Sequence, residues 1–458
     1  MFQRFLDEGL AHSSYLLGCP RAREAVVIDP RRDVDVYVDA ARDHGLTITH
    51  VIETHIHADF VSGARELAAI GARPVAGPGA GLRFDHHEAR DGETLQIGDL
   101  SLRLLHTPGH TPEHIAIVAS HPDEPIRAFT GDTLFVGAVG RPDLLGEPMT
   151  RVLAGDLYDS LFHTLLSLGD DVEVHPAHGA GSLCGAGIGR EPHSTIGQER
   201  RFNPMLQHAS REAFVTAVLA DLPETPVYFP RMKRVNHDGP RVLGLTTAVE
   251  PPPALSAAAA DDAIRGGATM LDLRGPGAFG DGHVPGAINI GYGSKIGNWA
   301  GWVIAPEARL VLMTPESGGR QAVEACRQLL RVGLEGVEGY VEGGYAAWAA
   351  AGLPMSRIQQ ITARDLSDRI SRREPLTVVD VRSPREWRAG HIDGAVHIPV
   401  GDVLNRAAEL PTDMPAATIC EGGYRSSLAA SLLERAGVRS ILNVTGGMAA
   451  FRTVEATP

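Results

Sequence analysis

The chain has 458 residues, of which 43% are hydrophobic and 21% charged, and its net charge is −14. This length exceeds what one hydrophobic core supports and predicts two to four domains, and the negative charge argues against nucleic acid or an acidic membrane as a partner. The sequence contains no run of about 18 apolar residues, and its acidic N-terminus lacks a signal-peptide core, so we expect no membrane span and a cytoplasmic location.

The first segment that carries chemistry follows a predicted strand over residues 49–53. Two imidazoles and a carboxylate lie on one turn after this strand, at His55, His57 and Asp59, and Phe60 follows them. Neutral imidazole and carboxylate are ligands that first-row metals accept in proteins. The segment therefore predicts part of a metal site.

Further candidate ligands come later in the chain, each after a strand-like run and beside a glycine. These are His110, Asp132 and His178. A lone histidine is more often a surface or core residue than a ligand. Several such residues in this order predict a metal site where the loops converge.

The pattern resembles the H-x-H-x-D-H signature of the metallo-β-lactamase superfamily, which usually holds two metals. The last histidine of that signature is replaced here by Phe60, which cannot bind a metal. We therefore expect a single-metal site. The resemblance implies an αββα sandwich with the site at one edge of two packed sheets.

Within that superfamily the chain resembles the persulfide dioxygenases. This resemblance implies one Fe(II) per chain with the protein ligands His55, His110 and Asp132. Two imidazoles and one carboxylate leave three positions for water, thiolate and dioxygen. Asp59 and His178 match a vestigial second metal position, and His57 matches a ligand that the dioxygenases leave uncoordinated. We expect these three to form hydrogen bonds around the ligands.

Two later segments also resemble the persulfide dioxygenases. Residues 137–143 are similar to their Gly-Arg-x-Asp loop, which implies that Arg141 lies at the thiol-substrate pocket. An ion pair between Arg141 and Asp143 is the alternative interpretation. Residues 194–204 are similar to the closing Glu-Arg-x-x-Asn-Pro segment of the family.

A glycine-rich stretch over residues 179–189 contains Cys184. It resembles bacterial fusions of a dioxygenase with a sulfurtransferase, in which a loop cysteine stands near the iron site. The stretch offers little apolar packing, so we expect Cys184 to lie outside the core, and the resemblance implies that it accepts or relays a persulfide. An inert loop thiol is the alternative.

The last two hundred or so residues contain an internal repeat. An Asp-x-Arg motif starts at Asp272 in the first copy and at Asp380 in the second, and each copy later has a Gly-Gly pair followed by an aromatic residue. A repeat of this length fits two tandem domains, and alternating strand-like and helical runs predict parallel α/β sheets. Proline- and glycine-containing boundaries predict three domains, at 1–250, 251–355 and 356–458.

The second copy contains a loop from Cys420 to Arg425 between a predicted strand and a helix expected near Ser426. Backbone N–H groups of such a loop and the helix N-terminus favour a thiolate and a bound persulfide. The loop resembles the rhodanese active-site loop, which implies that Cys420 and Arg425 are catalytic, with Arg425 facing an anion such as sulfite. The expected substrate-binding residues are Glu421, Gly422, Gly423, Tyr424 and Ser426. The first copy has no cysteine at the equivalent place, residues 310–320.

Together the resemblances imply an α/β multidomain enzyme: a metallo-β-lactamase sandwich followed by two tandem rhodanese-like domains, the first without its catalytic cysteine. The implied activity oxidises a small thiol persulfide with O₂ to sulfite and transfers sulfur to give thiosulfate. We also expect a homo-oligomer. The alternatives are a zinc-dependent thiolester hydrolase similar to glyoxalase II, and a non-enzymatic sulfur carrier or sensor with a structural metal.

Overall fold

The structure is a computed structural model that describes residues 1–208 and 210–456. The chain divides into two compact units. The first unit holds residues 1–249 and 330–333, and the second holds the other described residues. Among the described helices, none is both long and apolar enough to cross a membrane.

The first unit begins with a six-stranded sheet and two helices. Their bounds are β1 (Phe2–Asp7), β2 (His12–Cys19), β3 (Glu24–Ile28), α1 (Asp35–Asp43), β4 (Thr47–Ile52), α2 (Ala64–Ala69), β5 (Arg73–Ala76) and β6 (His87–Glu88). The strands lie in the order β1-β2-β3-β4-β5-β6. The first three strands are antiparallel and the later pairs are parallel.

The rest of the first unit forms a second six-stranded sheet, a short hairpin and four helices. Their bounds are β7 (Thr94–Ile97), β8 (Leu100–His106), β9 (Ile115–His121), β10 (Glu124–Gly131), β11 (Leu134–Phe135), β12 (Ala138–Val139), α3 (Glu147–Asp159), β13 (Glu173–Pro176), β14 (Ser194–Thr195), α4 (Ile196–Phe202), α5 (Arg211–Ala220) and α6 (Phe229–Asp238). The sheet order is β14-β13-β10-β9-β8-β7, and β11 pairs with β12.

The two sheets of this unit pack face to face with helices outside them. In β3, Val26 and Ile28 belong to a buried cluster that also contains Phe129 of β10. The intervening Val27 belongs to a different cluster, with Tyr37 of α1. Successive side chains of a strand point to opposite faces, so β3 contacts the other sheet on one face and helices on the other. A third cluster packs α3 and α5 on the second sheet. The αββα prediction is confirmed.

The second unit contains two five-stranded parallel sheets. The first is built from β15 (Ala254–Leu255), α7 (Ala257–Arg265), β16 (Thr269–Asp272), α8 (Pro276–Asp281), β17 (Ile288–Asn289), α9 (Ile296–Val303), β18 (Leu310–Met313), α10 (Gly319–Arg331), β19 (Val337–Val341) and α11 (Gly344–Ala350). The second is built from β20 (Gln359–Thr362), α12 (Ala363–Ser371), β21 (Thr377–Asp380), α13 (Pro384–Arg388), β22 (Val396–His397), α14 (Val403–Arg406), β23 (Ala416–Ile419), α15 (Tyr424–Arg435), β24 (Ile441–Thr445) and α16 (Gly447–Glu455).

The strands of the two repeats follow the same spatial order, β15-β19-β18-β16-β17 and β20-β24-β23-β21-β22. The Asp-x-Arg motif has the same structural role in both. Arg274 donates hydrogen bonds to Asp272, and Arg382 donates to Asp380, in buried pairs. These pairs tie the ends of β16 and β21 to the segments that follow them. The predicted tandem α/β repeats are therefore confirmed.

Candidate metal centre and thiol loop

Three predicted metal ligands meet where the loops after β4, β8 and β10 converge. One ligand atom each of His55, His110 and Asp132 lies within 4.8 Å of the others, and all three residues are buried. The distances from Oδ2 of Asp132 to Nε2 of His55 and of His110 are 3.7 and 3.4 Å. The structure thus brings together residues that are widely separated in sequence.

These ligand atoms are buried without a protein partner. Nε2 of His55, Nε2 of His110 and Oδ2 of Asp132 have no hydrogen bond to any described residue. An unpaired buried polar atom costs about 1–3 kcal/mol, so three in one place need an explanation. A bound cation satisfies all three, and two imidazoles with one carboxylate are the donor set of non-haem Fe(II) sites.

The hydrogen bond at Nδ1 of each imidazole determines which of the two ring nitrogens carries the proton. Thr54 donates its hydroxyl proton to Oδ2 of Asp29 at 2.8 Å, so it accepts from Nδ1 of His55 at 2.9 Å. Nδ1 of His110 donates to the carbonyl oxygen of Arg141 at 2.8 Å. Each imidazole therefore keeps the Nε2 lone pair for a metal.

The charge states of the three ligands also suit a metal. Burial lowers the pKa of His55 and of His110, so both rings are neutral. Burial alone would raise the pKa of Asp132, but the neighbouring His178 outweighs it and holds that pKa well below its usual range. Neutral imidazoles and an ionised carboxylate are the forms that bind metals.

A second group of buried donors adjoins the first through His178. Its Nδ1 lies 2.7 Å from Oδ1 of Asp132, and its Nε2 lies 2.9 Å from Oδ2 of Asp59. Cys184 completes a cluster with Asp59 and His178 whose donor atoms lie within 4.8 Å of one another. Burial raises the pKa of Cys184 to about 12, so this side chain is a neutral thiol near pH 7. Cys184 is 1% exposed, unlike the poorly packed loop residue expected from the sequence.

His57 faces two carboxylates. Its Nε2 lies 3.1 Å from Oδ1 of Asp29 and 3.2 Å from Oε2 of Glu53. Burial lowers the pKa of His57, but Asp29 and Glu53 outweigh it and raise that pKa to about 10. The buried ring of Phe60 lies 4.5 Å from the His57 ring and 4.2 Å from that of His12, measured between centroids. An aromatic side chain therefore fills the space beside His57.

The ion pair considered for Arg141 is present. Its guanidinium donates two hydrogen bonds of 2.7 Å to Asp143, and further bonds to the Leu183 carbonyl and the Thr225 hydroxyl. The backbone N–H of Arg141 donates to the Cys184 carbonyl at 3.1 Å. Arg141 is buried, so it fixes the position of the Cys184 loop. Its contact with a substrate stays a prediction.

Sequence reasoning missed several residues of this site. The hydrogen bonds that link Asp29 through Thr54 to His55 are one example, although Asp29 directly follows β3 and precedes a proline. His114 is another: its Nε2 accepts the backbone N–H of Asp132 at 2.9 Å, and it belongs to the same histidine-rich segment as His110. Tyr228 is a third, because burial and the nearby Asp59 raise its pKa. No sequence signal pointed to Tyr228.

The thiol loop follows β23, as predicted, but α15 begins at Tyr424, earlier than the expected start near Ser426. The backbone N–H of Gly423 donates to Sγ of Cys420 at 3.1 Å, and the Ser426 hydroxyl lies 3.6 Å from that sulfur. Gly423 has φ of +96°, a left-handed conformation that favours glycine. A cradle of backbone and hydroxyl groups therefore surrounds the buried sulfur.

Arg425 has a protein counterion that the sequence did not reveal. It donates two hydrogen bonds of 2.6 Å to Glu386. Burial alone would raise the pKa of Glu386, but the ion pair outweighs it and lowers that pKa to about 2. The positive charge of the Arg425 guanidinium is thus balanced by the Glu386 carboxylate, and its contact with sulfite stays a prediction.

The other loop residues point in different directions. Glu421 forms ion pairs with Arg452 and Arg382. Tyr424 donates its hydroxyl proton to the carbonyl of Gly291 in the first repeat at 2.9 Å. Gly422 borders open space among the described residues. Of the expected substrate-binding residues, Gly423 and Ser426 are therefore the ones that contact the sulfur.

The equivalent place in the first repeat lies between β18 and α10 and has no cysteine. Thr314 follows β18 there and donates its hydroxyl proton to the Glu316 carbonyl. Cys326 lies within α10 and is buried. The first repeat has the α/β fold without a nucleophile in the loop.

Two families match this chain. The metallo-beta-lactamase superfamily matches residues 7–178, and the rhodanese-like domain matches residues 256–351 and 362–453. The human protein named persulfide dioxygenase ETHE1, mitochondrial, is 32% identical over 207 residues, which cover 43% of this chain and 73% of that protein. A hydroxyacylglutathione hydrolase from Polaromonas is 36% identical over 169 residues, which cover 36% of this chain and 61% of that protein.

Among solved structures, a metallo-beta-lactamase from Staphylococcus aureus is 32% identical. The match has a TM-score of 0.65 and covers 74% of this chain and 98% of that one. The sheet topology, the buried ligand set and these likenesses agree. The chain belongs to the metallo-beta-lactamase superfamily, with an N-terminal domain like that of the ETHE1 persulfide dioxygenases and two rhodanese-like domains after it.

Proposed function

We propose that the first unit is an iron-dependent dioxygenase of small thiol persulfides and that Cys420 transfers sulfane sulfur to sulfite. The first reaction is RSSH + O₂ + H₂O → RSH + SO₃²⁻ + 2 H⁺. The second is RSSH + SO₃²⁻ → RSH + S₂O₃²⁻, with Cys420 carrying the sulfur between the two reactants. The observation that supports the first part most strongly is the set of three unpartnered donors on His55, His110 and Asp132.

The protein residues have separate tasks in this proposal. Fe(II) held by His55, His110 and Asp132 would supply the redox chemistry that joins dioxygen to the outer persulfide sulfur. Thr54 and the Arg141 carbonyl keep the two imidazoles turned toward the metal position. His178 holds the other oxygen of Asp132.

Cys184 is a candidate acceptor or relay for a persulfide beside the iron ligands. Its thiol is buried with Asp59, whose carboxylate would take the thiol proton when sulfur is transferred, and with His178, whose two ring nitrogens already contact carboxylates. In the second repeat, the Gly423 N–H and the Ser426 hydroxyl stabilise the sulfur that leaves or arrives at Cys420. The proposed partners are therefore a thiol persulfide, dioxygen and sulfite, and assembly into a homo-oligomer stays a prediction.

A metal and oxygen assay tests the dioxygenase. Protein purified without oxygen should contain about one iron per chain and consume oxygen when glutathione persulfide is added. It should not hydrolyse S-lactoylglutathione. Protein that carries iron but consumes no oxygen with any persulfide would refute the proposed reaction.

A two-metal thiolester hydrolase is the second candidate, and one observation favours it. Asp59, His178 and Cys184 form a buried donor group next to the first, which could hold a second cation despite Phe60. The likeness to a hydroxyacylglutathione hydrolase agrees with this alternative. Two zinc ions per chain together with thiolester turnover would establish it in place of the dioxygenase.

A further inference from the structure

The first rhodanese-like repeat lies along α15, the helix that directly follows the thiol loop. Besides Arg435 at the last position of α15, four positions of the helix contact this repeat: Tyr424 at the loop, Ser427, Ser431, and Glu434 near the other end. These positions are spaced three or four residues apart, so they form one face of the helix. The first repeat, whose loop has no cysteine, therefore contacts α15 over the whole length of that helix.

Tyr424 connects this face to the sulfur. It directly follows Gly423, whose N–H points at Sγ of Cys420. Its hydroxyl donates to the Gly291 carbonyl at 2.9 Å, and its ring packs against Gly291 so closely that a Cβ added there would lie 3.0 Å from Cε2. When Tyr424 is held in place, the backbone of the preceding Gly423 is restricted, and so is the direction of the Gly423 N–H.

Asn289 anchors the next turns of the helix. Its Nδ2 donates to the carbonyls of Asp272 and Arg274, which fixes the amide within the first repeat. Its Oδ1 accepts the Ser427 hydroxyl at 2.6 Å, and its backbone N–H donates to Ser431 at 3.0 Å. All four bonds are buried, and leaving such groups unpaired is costly.

The second repeat shows why asparagine suits this position. His397 occupies the equivalent place in the internal repeat, and its Nε2 lies 2.8 Å from the Arg382 carbonyl. Asn289 makes the matching bond to Arg274 but has, in addition, an oxygen for Ser427. An imidazole that donates to the carbonyl has no such acceptor on the same side.

We propose that the first repeat fixes the conformation of the thiol loop in the second repeat. Gly291 and Asn289 are then positioning residues for sulfur transfer at Cys420. This inference rests on the proposed sulfurtransferase activity. It assigns a task to a domain that has no cysteine in the loop after β18. It predicts that a change in the first repeat alters the reactivity of a cysteine in the second.

The test uses the full chain with three variants: Gly291→Ala, Tyr424→Phe and the control Gly293→Ala. A Cβ at Gly293 meets open space among the described residues, so the control adds the same methyl group close by without touching Tyr424. Gly291→Ala should lower the turnover number for thiosulfate formation about tenfold, through overpacking against the ring. Tyr424→Phe should lower it about fivefold, through loss of one hydrogen bond.

Two further measurements separate positioning from other effects. The KM for sulfite should stay unchanged in both variants, and mass spectrometry should show the carboxymethylation rate of Cys420 falling with turnover. Oxygen uptake with persulfide should match that of the unaltered protein and of Gly293→Ala. If Gly291→Ala does not fold, Tyr424→Phe carries the comparison.

The proposal is wrong if a folded Gly291→Ala or Tyr424→Phe variant keeps both Cys420 rates within twofold of the unaltered protein. Failure of the proposed function would look different. In that case the unaltered protein would form no thiosulfate, while the carboxymethylation rates would still report whether the first repeat controls the loop.

Discussion

The bridge from Asp29 through Thr54 to His55 allows a sharp test of the metal centre. Thr54→Val keeps the shape of the side chain but removes the hydroxyl that links Nδ1 of His55 to Oδ2 of Asp29. The imidazole then loses the contact that sets its orientation and tautomer. We expect iron affinity to fall because the ring is no longer held with Nε2 toward the metal.

The size of the effect follows from the burial of the bridge. Loss of a partner that orients a metal-bound histidine typically costs about 10- to 100-fold in affinity, which corresponds to about 1.4–2.8 kcal/mol. Two buried groups, the His55 N–H and the Asp29 oxygen, also lose a partner. At about 1–3 kcal/mol each, the free energy of unfolding of the metal-free protein should fall by about 2–6 kcal/mol.

Competition with a chromophoric chelator measures the iron affinity, and urea unfolding of the metal-free protein measures the stability. Thr49→Val is a matched control, since Thr49 makes the same kind of hydrogen bond to His50 at 3.0 Å but neither residue belongs to a cluster of potential metal ligands. An affinity loss below twofold in Thr54→Val, or an equal loss in Thr49→Val, would refute the role of the bridge.

Three further outcomes are expected. Asp132→Asn should abolish iron binding and oxygen uptake. It should leave thiosulfate formation intact when sulfite and purified persulfide are added. Loss of both activities would contradict the claim that the metal centre and Cys420 work independently. Cys420→Ser should do the reverse, leaving oxygen uptake intact while thiosulfate disappears from the product analysis. The ion pair with Arg425 lowers the pKa of Glu386 from 4.5 to about 2, so its stabilisation is present above pH 4.5 and lost as the pH falls toward 2. Glu386→Gln should therefore reduce the difference in urea midpoint between pH 5 and pH 3, and an unchanged difference would show that the pair does not contribute.

The sequence was sufficient for features that depend on local order. His55, His110 and Asp132 each follow a strand that ends at the same group of loops, so the fold brings them together once the strands are recognised. Cys420 and Gly423 lie within one short loop, where backbone geometry alone brings an N–H to the sulfur. The two repeats were visible because both copies need the same buried Asp–Arg pair.

Partners that are distant in sequence were decided by the tertiary structure. Arg141 donates a hydrogen bond to Thr225, and Tyr424 donates one to Gly291, although the sequence suggested substrate contacts for both. Cys184 is buried with His178 because the glycine-rich segment folds inward, which its composition did not predict. A motif specifies which groups are available, but burial leaves a polar group no water, so it must bond to whichever residue the packing places beside it.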